Sequence, residues 1–150
     1  MKSLDNPYLH VLFCDDVRLE VGNKLTLVGL YSGQLNVAEA PVILPKLCVY
    51  ALFVTPVQQE VTELTFRVYR DDELVAENKQ TDFPSIPSHL VDDSTVTRRE
   101  YTAAFTFAPF PIEGPSVLTV EVETATGTYG GPRLRIAVTE MHEESRPVRE

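Results

Sequence analysis

Tryptophan is absent from this 150-residue chain, and cysteine and histidine are scarce, with two and three residues. A core must therefore be built from Phe, Tyr, Leu, Val and Ile. So few Cys and His residues also argue against a zinc site, which needs several of them at coordinated spacing. His10 and Cys14 are four residues apart, which suits a helix, whereas a strand would separate them by about 13 Å.

Basic residues are also few. The chain has 13 Lys and Arg residues against 22 Asp and Glu residues, and its formal net charge is -9. Such a surface repels phosphate backbones and anionic lipids. The one basic doublet, Arg98-Arg99, is followed at once by Glu100. We therefore expect no nucleic-acid partner and no membrane-surface role.

No apolar run is long enough to span a bilayer, and the run from Tyr8 to Phe13 is interrupted by His10. The stretch from Met1 to Pro7 lacks the apolar core of a signal peptide. We therefore expect a cytoplasmic protein. Cys14 and Cys48 would then be reduced, and their apolar surroundings predict two small core residues.

The sequence does contain a series of short strand patterns separated by turns. The segment from Lys46 to Thr55 is almost entirely apolar, which predicts a strand near a sheet centre and covered on both faces. The segment from Val61 to Arg70 alternates and predicts a hairpin with Glu73 to Asn78. Gln34 to Val37 is typical of a short edge strand.

About eight to ten such strands, without an amphipathic helix, predict an all-β fold, an immunoglobulin-like antiparallel β-sandwich. The Pro-rich segments Ala38 to Pro45 and Ala108 to Pro115 would be crossings between its sheets. A closed β-barrel is the alternative. One domain should span residues 1–138, followed by a flexible polar tail at 139–150.

The first predicted hairpin, residues 13–31, is the most informative stretch. A three-residue loop, Val21 to Asn23, places oppositely charged side chains opposite each other and apolar side chains opposite apolar ones. The predicted pairs are Glu20 with Lys24, Leu19 with Leu25, Arg18 with Thr26 and Val17 with Leu27. Asn23 would then take the left-handed position that Asn tolerates.

The same register places Asp15 opposite Gly29, on a face that should be buried. Because a buried and unpartnered carboxylate is costly, we predict a break in the strand at Cys14 to Asp16. The break would be a β-bulge or a passage into the other sheet, with the carboxylates accepting from freed backbone N–H groups.

The last predicted hairpin joins Val117–Thr124 to Pro132–Val138. Its predicted register agrees with both hydrophobicity and charge. The predicted pairs are Leu118 with Val138, Val120 with Ile136, Val122 with Leu134, Glu121 with Arg135 and Glu123 with Arg133.

Three acidic pairs are weak candidates for calcium ligands: Asp15, Asp16, Asp71, Asp72, Asp92 and Asp93. Calcium needs six to eight oxygens from several loops, and Asp-rich turns are ordinary turn chemistry, so we predict no metal and no cofactor. Common catalytic and nucleotide-binding motifs are missing. A catalytic pair formed by His89 with Cys14 or Cys48 is kept as an alternative, because catalytic residues that are distant in sequence can meet in the folded chain. We nevertheless expect no enzyme.

The segments Phe13 to Glu20 (FCDDVRLE) and Lys24 to Tyr31 (KLTLVGLY) resemble a recurring pattern in a family of small uncharacterised bacterial proteins. The following Leu44 to Leu47 is also similar. The resemblance spans about forty residues. The resemblance implies a bacterial or phage-borne cytosolic protein, and it assigns no activity to any residue.

These observations predict a non-enzymatic β-sandwich that acts through protein–protein contacts. Its partner would be another protein or a second copy, paired through an edge strand at Gln34 to Val37 or Glu73 to Asn78. The alternative is a ligand-binding module that uses the long Lys79 to Ser94 loop and the neighbouring sandwich-end loops.

Overall fold

A computed structural model describes residues 6–85, 87, 89, 92, 93 and 95–139. All but the first residue of the predicted 139–150 tail lie outside these. The strands are β1 (Tyr8–Glu20), β2 (Lys24–Tyr31), β3 (Gln34–Val37), β4 (Val42–Leu44), β5 (Leu47–Pro56), β6 (Glu63–Arg70), β7 (Glu73–Thr81), β8 (Arg98–Phe107), β9 (Phe110–Ile112), β10 (Ser116–Thr124), β11 (Gly127–Gly130) and β12 (Leu134–Val138).

Two open sheets contain most of these strands. Sheet A has the order β2-β1-β5-β8, and sheet B has the order β3-β12-β10-β6-β7, with β11 beside β10. The predicted β-sandwich is confirmed. The closed barrel is wrong, since neither sheet closes on itself within the described residues. The β3–β12 pair is parallel, so the sandwich is not wholly antiparallel as predicted.

The core lies between the two sheets, where alternate residues of each strand point inward. Sheet A contributes the odd-numbered residues of β1, β5 and β8, including Val11, Phe53 and Tyr101. Sheet B contributes even-numbered residues such as Phe66 and Val120. Phe53 and Phe66 are fully buried, so without Trp the aromatic part of the core depends on Phe and Tyr.

The two Pro-rich crossings pair with each other. Their middle parts form β4 and β9, which make a separate two-stranded ladder. The number of strands exceeds the predicted eight to ten because β4, β9 and β11 are each only three or four residues long. Strands that short have too few residues to show an alternation that sequence could reveal.

The first two hairpins have the predicted connections. In β1–β2 the pairs at Glu20, Leu19, Arg18 and Val17 are all as predicted, and Asn23 has φ +57°. The β6–β7 hairpin turns at Asp71 and Asp72, with a register shift between Val68 and Tyr69.

The predicted register of the last hairpin is wrong. Leu118 pairs with Leu134 rather than Val138. The other end of β10 pairs with β11 instead, through a two-residue turn at Ala125 and Thr126. The acidic residues of β10 have a different basic partner, Arg67 of β6. A charge match within one hairpin was misleading because β10 has a neighbour on each side.

Candidate interaction surface

The outer face of sheet B is covered by charged and hydrogen-bonded side chains. Arg67 contacts Glu123 at 2.7 Å and Glu77 at 2.9 Å, and these hydrogen bonds raise the pKa of the Arg67 guanidinium. Beside them the hydroxyl of Tyr69 donates to Glu121 at 3.1 Å. Cross-strand ion pairs of this kind are typical of a solvated face.

The outer face of sheet A is more apolar along β1 and β5 than along β8, which presents Arg98, Glu100 and Thr102 there. The outward side chains of β1 and β5 include Leu12, Tyr50 and Leu52, and the buried Cys14 and Cys48 lie directly opposite each other in the same ladder. Val54 of β5 is also buried. The prediction that β5 is covered on both faces therefore holds for part of its length.

Exposed apolar side chains are concentrated on β1, β2 and the loop between them, which together we call the hairpin. Of the eight large apolar side chains that are exposed among the described residues, six lie there. We call these six the hairpin surface: Leu12, Leu19, Val21, Leu25, Val28 and Leu30. Val21 at the tip is 93% exposed, and Leu19 is 77% exposed. Such a concentration makes the hairpin surface the candidate contact site of this chain.

Asp15 lies where the hairpin leaves the rest of sheet A, because β1 pairs with β5 only as far as Cys14. The Asp15 carboxylate accepts a hydrogen bond of 2.5 Å from the hydroxyl of Tyr31. Burial, reinforced by this carboxylate, raises the pKa of Tyr31 to about 12. Opposite Asp15, Gly29 has φ +69°, and a Cβ there would overlap the carboxylate.

The predicted bulge or change of sheet at Asp15 is wrong. The register between β1 and β2 is the same on both sides of this residue, and β1 stays in sheet A. Asp15 is also exposed rather than buried, and the pairing of β1 with β5 ends one residue before it, at Cys14. The left-handed conformation of Gly29 absorbs the distortion on the facing strand, and a tyrosine hydroxyl takes the place of the expected backbone N–H groups.

The hairpin bends over the outer face of sheet A, since Leu19 and Leu25 line one cleft together with Tyr50 of that face. Cys48 points outward, since both of its chain neighbours belong to the core. Its Sγ nevertheless lies 3.9 Å from the backbone oxygen of Asp15, and Sγ of Cys14 donates to that of Asp16 at 3.4 Å. The backbone of the bend therefore covers both cysteines.

Beyond the bend, the far half of the hairpin and the outer face of sheet A enclose an open cleft of about 560 Å³. Leu19, Leu25 and Leu27 line its hairpin side, and Tyr50 and Thr102 line its sheet side. We call this the hairpin cleft. Asn23 and Lys24 also line it, so its walls are partly polar. Since Leu19 and Leu25 belong to the hairpin surface, that surface includes a concave part as well as the exposed tip.

Charges around the hairpin cancel, although the whole chain carries -9. Three acidic and three basic residues lie there: Asp15, Asp16, Glu20, Arg18, Lys24 and Lys46. Asp16 accepts from Lys46 at 3.1 Å and from Arg18 at 3.3 Å, and these hydrogen bonds lower its pKa, with Lys46 the larger cause. The Lys46 contact ties the bend to the residue just before β5.

Four strands form the edges of the two sheets: β2 and β8 in sheet A, and β3 and β7 in sheet B. The predicted edge strands at Gln34–Val37 and Glu73–Asn78 are therefore confirmed as edges. However, β3 has only four residues, and β7 carries Glu73, Glu77 and Lys79, which discourage pairing with another chain. The structure adds β2, an edge that the sequence did not identify.

The β2 edge is less charged than β7 and β8, and it is longer and more apolar than β3. Lys24 is its only charged residue among eight, and the ladder places Leu25 and Leu27 on one side of the strand and Val28 and Leu30 on the other. A strand that is apolar on both sides is usually buried, so the sequence of β2 did not indicate an edge. The sequence of β1 was more informative, because the residues after Cys14, which pair with β2, are mostly polar.

The six calcium candidates lie on three separate elements. Asp71 and Asp72 form the β6–β7 turn, where Asp71 accepts a hydrogen bond of 3.0 Å from the backbone of β10. Asp92 and Asp93 precede β8, and hydrogen bonds from Thr95 lower the pKa of Asp93. Within the described ranges, no three His, Cys, Asp or Glu residues come together as a potential metal site.

A second cavity of about 570 Å³ lies beside the start of the predicted Lys79–Ser94 loop. The ring of Phe83 packs edge-on against Tyr101, with 4.8 Å between centroids, and both rings line the cavity. Its polar lining includes Glu60, Gln80, Arg99 and Glu100. Ile86, in the same loop, lies outside the described residues.

Comparisons with known proteins give a family for the chain but no activity. Among the described residues, no helix has the length and apolarity needed to cross a membrane. No curated protein matches the chain. The profile of one family, described as a family of unknown function (DUF6941), matches residues 9–127, which include all of the hairpin except Tyr8. The chain belongs to this family of unknown function.

Proposed function

We propose that the protein is non-enzymatic and acts through protein contacts of the hairpin surface, with a second copy of the same chain as the partner. The observation that carries the proposal is the concentration of six of the eight exposed large apolar side chains on one hairpin. Apolar area that is removed from water on association supplies the main driving force for such contacts.

The charges around the hairpin are compatible with a second copy as the partner. Two chains that each carry -9 repel one another over most of their surfaces, whereas the hairpin and the adjacent Lys46 together carry equal numbers of acidic and basic side chains. If two β2 edges pair antiparallel about a two-fold axis, each Lys24 lies near the uncharged end of the partner strand. No like charges then face each other along the paired edges.

The chain's thiols and His10 support a non-enzymatic role. Cys14 and Cys48 are covered by the bend, so neither is presented to a substrate. His10 is exposed and packs edge-on against Tyr8, with 4.9 Å between centroids. We further propose a bacterial cytoplasmic protein whose family signature includes the Phe13–Tyr31 segment.

Molecular mass in solution tests the proposal. The wild-type chain should reach twice its mass of 16.8 kDa as its concentration rises, in light scattering coupled to size exclusion. Leu30→Glu and Leu30→Lys should both stay monomeric, because either charge would be buried unpaired in the contact. Leu74→Glu is the matched control, since Leu74 is exposed on β7, away from the hairpin.

Folding of each variant is checked by its thermal midpoint, which an exposed position should change little. A wild-type chain that remains monomeric at every concentration would overturn the proposal. So would a Leu30→Glu variant that dimerises as well as the Leu74→Glu control.

A second candidate function is ligand binding in the cavity beside Phe83 and Tyr101. Its volume lies within the usual range for small-molecule sites, about 300–1,000 Å³, and it combines aromatic walls with a polar rim. The lining has two carboxylates, Glu60 and Glu100, against one guanidinium, Arg99, which favours an aromatic amine. Phenethylamine should raise the thermal midpoint of the wild type but not of Phe83→Ala; equal responses of both chains would exclude this site.

A further inference from the structure

The two cysteines of the chain face each other across two neighbouring strands. Cys14 of β1 is the direct partner of Cys48 of β5 in the antiparallel ladder. Directly opposite residues project to the same side of a sheet, here the outer face of sheet A. Nothing in the spacing of 34 positions along the chain indicates this arrangement, so it is a product of the fold.

Strand geometry sets the separation of this pair. The Cα atoms of opposite residues in antiparallel strands are about 4.5–5.5 Å apart, within the range of about 4.4–6.8 Å for disulfides. Polar atoms border both thiols: the backbone oxygen of Asp16 lies 3.4 Å from Sγ of Cys14, and the hydroxyl of Thr106 lies 3.7 Å from Sγ of Cys48.

We propose that Cys14 and Cys48 are a modification site, a cross-strand dithiol that a small-molecule disulfide oxidises to a disulfide joining β1 to β5. The inference does not depend on the proposed dimer. In a reducing cytoplasm such a bond would be transient, as in redox-sensing proteins, and would lock the root of the hairpin to the sheet while it lasted.

The chemistry takes two exchanges. One protein thiolate attacks a sulfur of the small disulfide, forms a mixed disulfide with it and releases one small thiolate. The second protein thiolate then attacks the protein sulfur of that mixed disulfide and releases the other small thiolate. The protein loses two electrons and two protons, and the small disulfide gains both as two thiols.

The hairpin controls access to this pair. Both cysteines are almost fully buried beneath the bend at Asp15 and Asp16, so the first exchange requires the hairpin to lift locally. Burial, followed by the neighbouring Cys48, also raises the pKa of Cys14. Because the thiolate is the nucleophile, oxidation should be slow at neutral pH and faster at alkaline pH.

The test uses the full reduced chain, dilute, with oxidised glutathione as the probe. The expected product is a single chain lighter by two hydrogen atoms, in which peptide mapping links the Cys14 peptide to the Cys48 peptide. Closure of this loop should raise the thermal midpoint by about 10 °C, and dithiothreitol should reverse both changes.

Two variants separate this result from ordinary thiol reactivity. Cys14→Ala and Cys48→Ala should each stop at a glutathione adduct on the remaining cysteine. A wild-type chain that also stops at glutathione adducts, or forms disulfides between chains, would overturn the proposal. Thiols that stay free in the native chain, under conditions in which the urea-unfolded chain reacts, would overturn it as well.

Discussion

The Asp15 carboxylate occupies the space that a side chain on Gly29 would need. The two residues face each other across β1 and β2, where Gly29 has φ +69°. At this point β1 has just left β5, and the hairpin bends over the outer face of sheet A. The pair therefore connects a local backbone conformation to the position of the whole hairpin surface.

Gly29→Ala should destabilise the fold by about 2–4 kcal/mol, because it adds left-handed strain and a steric overlap with Asp15. Chemical denaturation measures the loss. Gly33→Ala is the matched control, since Gly33 has φ +81° but open space around its Cα, and strain alone should cost about 1 kcal/mol. Equal losses in the two variants would show that the Asp15 contact has no effect.

Tyr31→Phe should lower the free energy of unfolding by about 1 kcal/mol, because it removes the hydroxyl that donates to Asp15 at 2.5 Å. Denaturation near neutral pH measures the change. Tyr8→Phe provides a control in the same strand pair. A loss in Tyr31→Phe no larger than in that control would contradict a stabilising role for the hydrogen bond.

The same hydroxyl predicts a pH dependence. Tyr31 has a pKa of about 12 in the folded chain, against 10.0 for a free tyrosine. The folded state thus holds this proton more tightly, so its stabilising contribution is complete below pH 10 and is lost as pH rises towards 12. Denaturation midpoints across this window should fall more steeply for the wild type than for Tyr31→Phe; parallel curves would contradict the assignment.

Lys46→Ala should raise the pKa of Asp16, because Lys46 is the larger cause of its lowering. Arg18→Ala should raise it less. Carboxyl chemical shifts followed by NMR during acid titration measure both changes, and added salt should reduce them, since the side chains are partly exposed. A larger shift in Arg18→Ala would contradict the assigned order.

Phe66→Ala should destabilise the protein by about 3–5 kcal/mol, because Phe66 is fully buried between the sheets and its removal leaves a cavity. Leu74→Ala, on the exposed side of β7, should cost less than about 1 kcal/mol. Urea denaturation of both variants gives the comparison. Similar losses would mean that the core does not lie where the alternation of β6 places it.

Local patterns predicted what local interactions determine. The β1–β2 register was correct because three residues of loop leave only one arrangement that matches both charge and hydrophobicity from Val17 to Lys24. The β6–β7 hairpin was correct because an alternating strand and its return strand lie next to each other in the chain, joined by the short Asp71-Asp72 turn. The register of the last hairpin was wrong because the acidic residues of β10 lie next to β6 as well, and Arg67 there is the nearer base.

The candidate site was predicted less well than the fold. The expected edges at β3 and β7 are edges, but the exposed apolar surface lies on β2, whose residues have the composition of a buried strand. Hydrophobicity along a chain reports how readily a residue is buried. It does not report whether another strand is present to bury it.

By itself the sequence determined an all-β sandwich, its first two hairpins and the left-handed turn at Asn23, because alternation, turn chemistry and cross-strand matching act over a few neighbouring residues. Only the tertiary structure decided that Asp15 bonds to Tyr31, that Cys14 faces Cys48, and that β2 lies at an edge. These contacts depend on where β5 begins relative to β1, which is set by the packing of the whole core rather than by either strand alone.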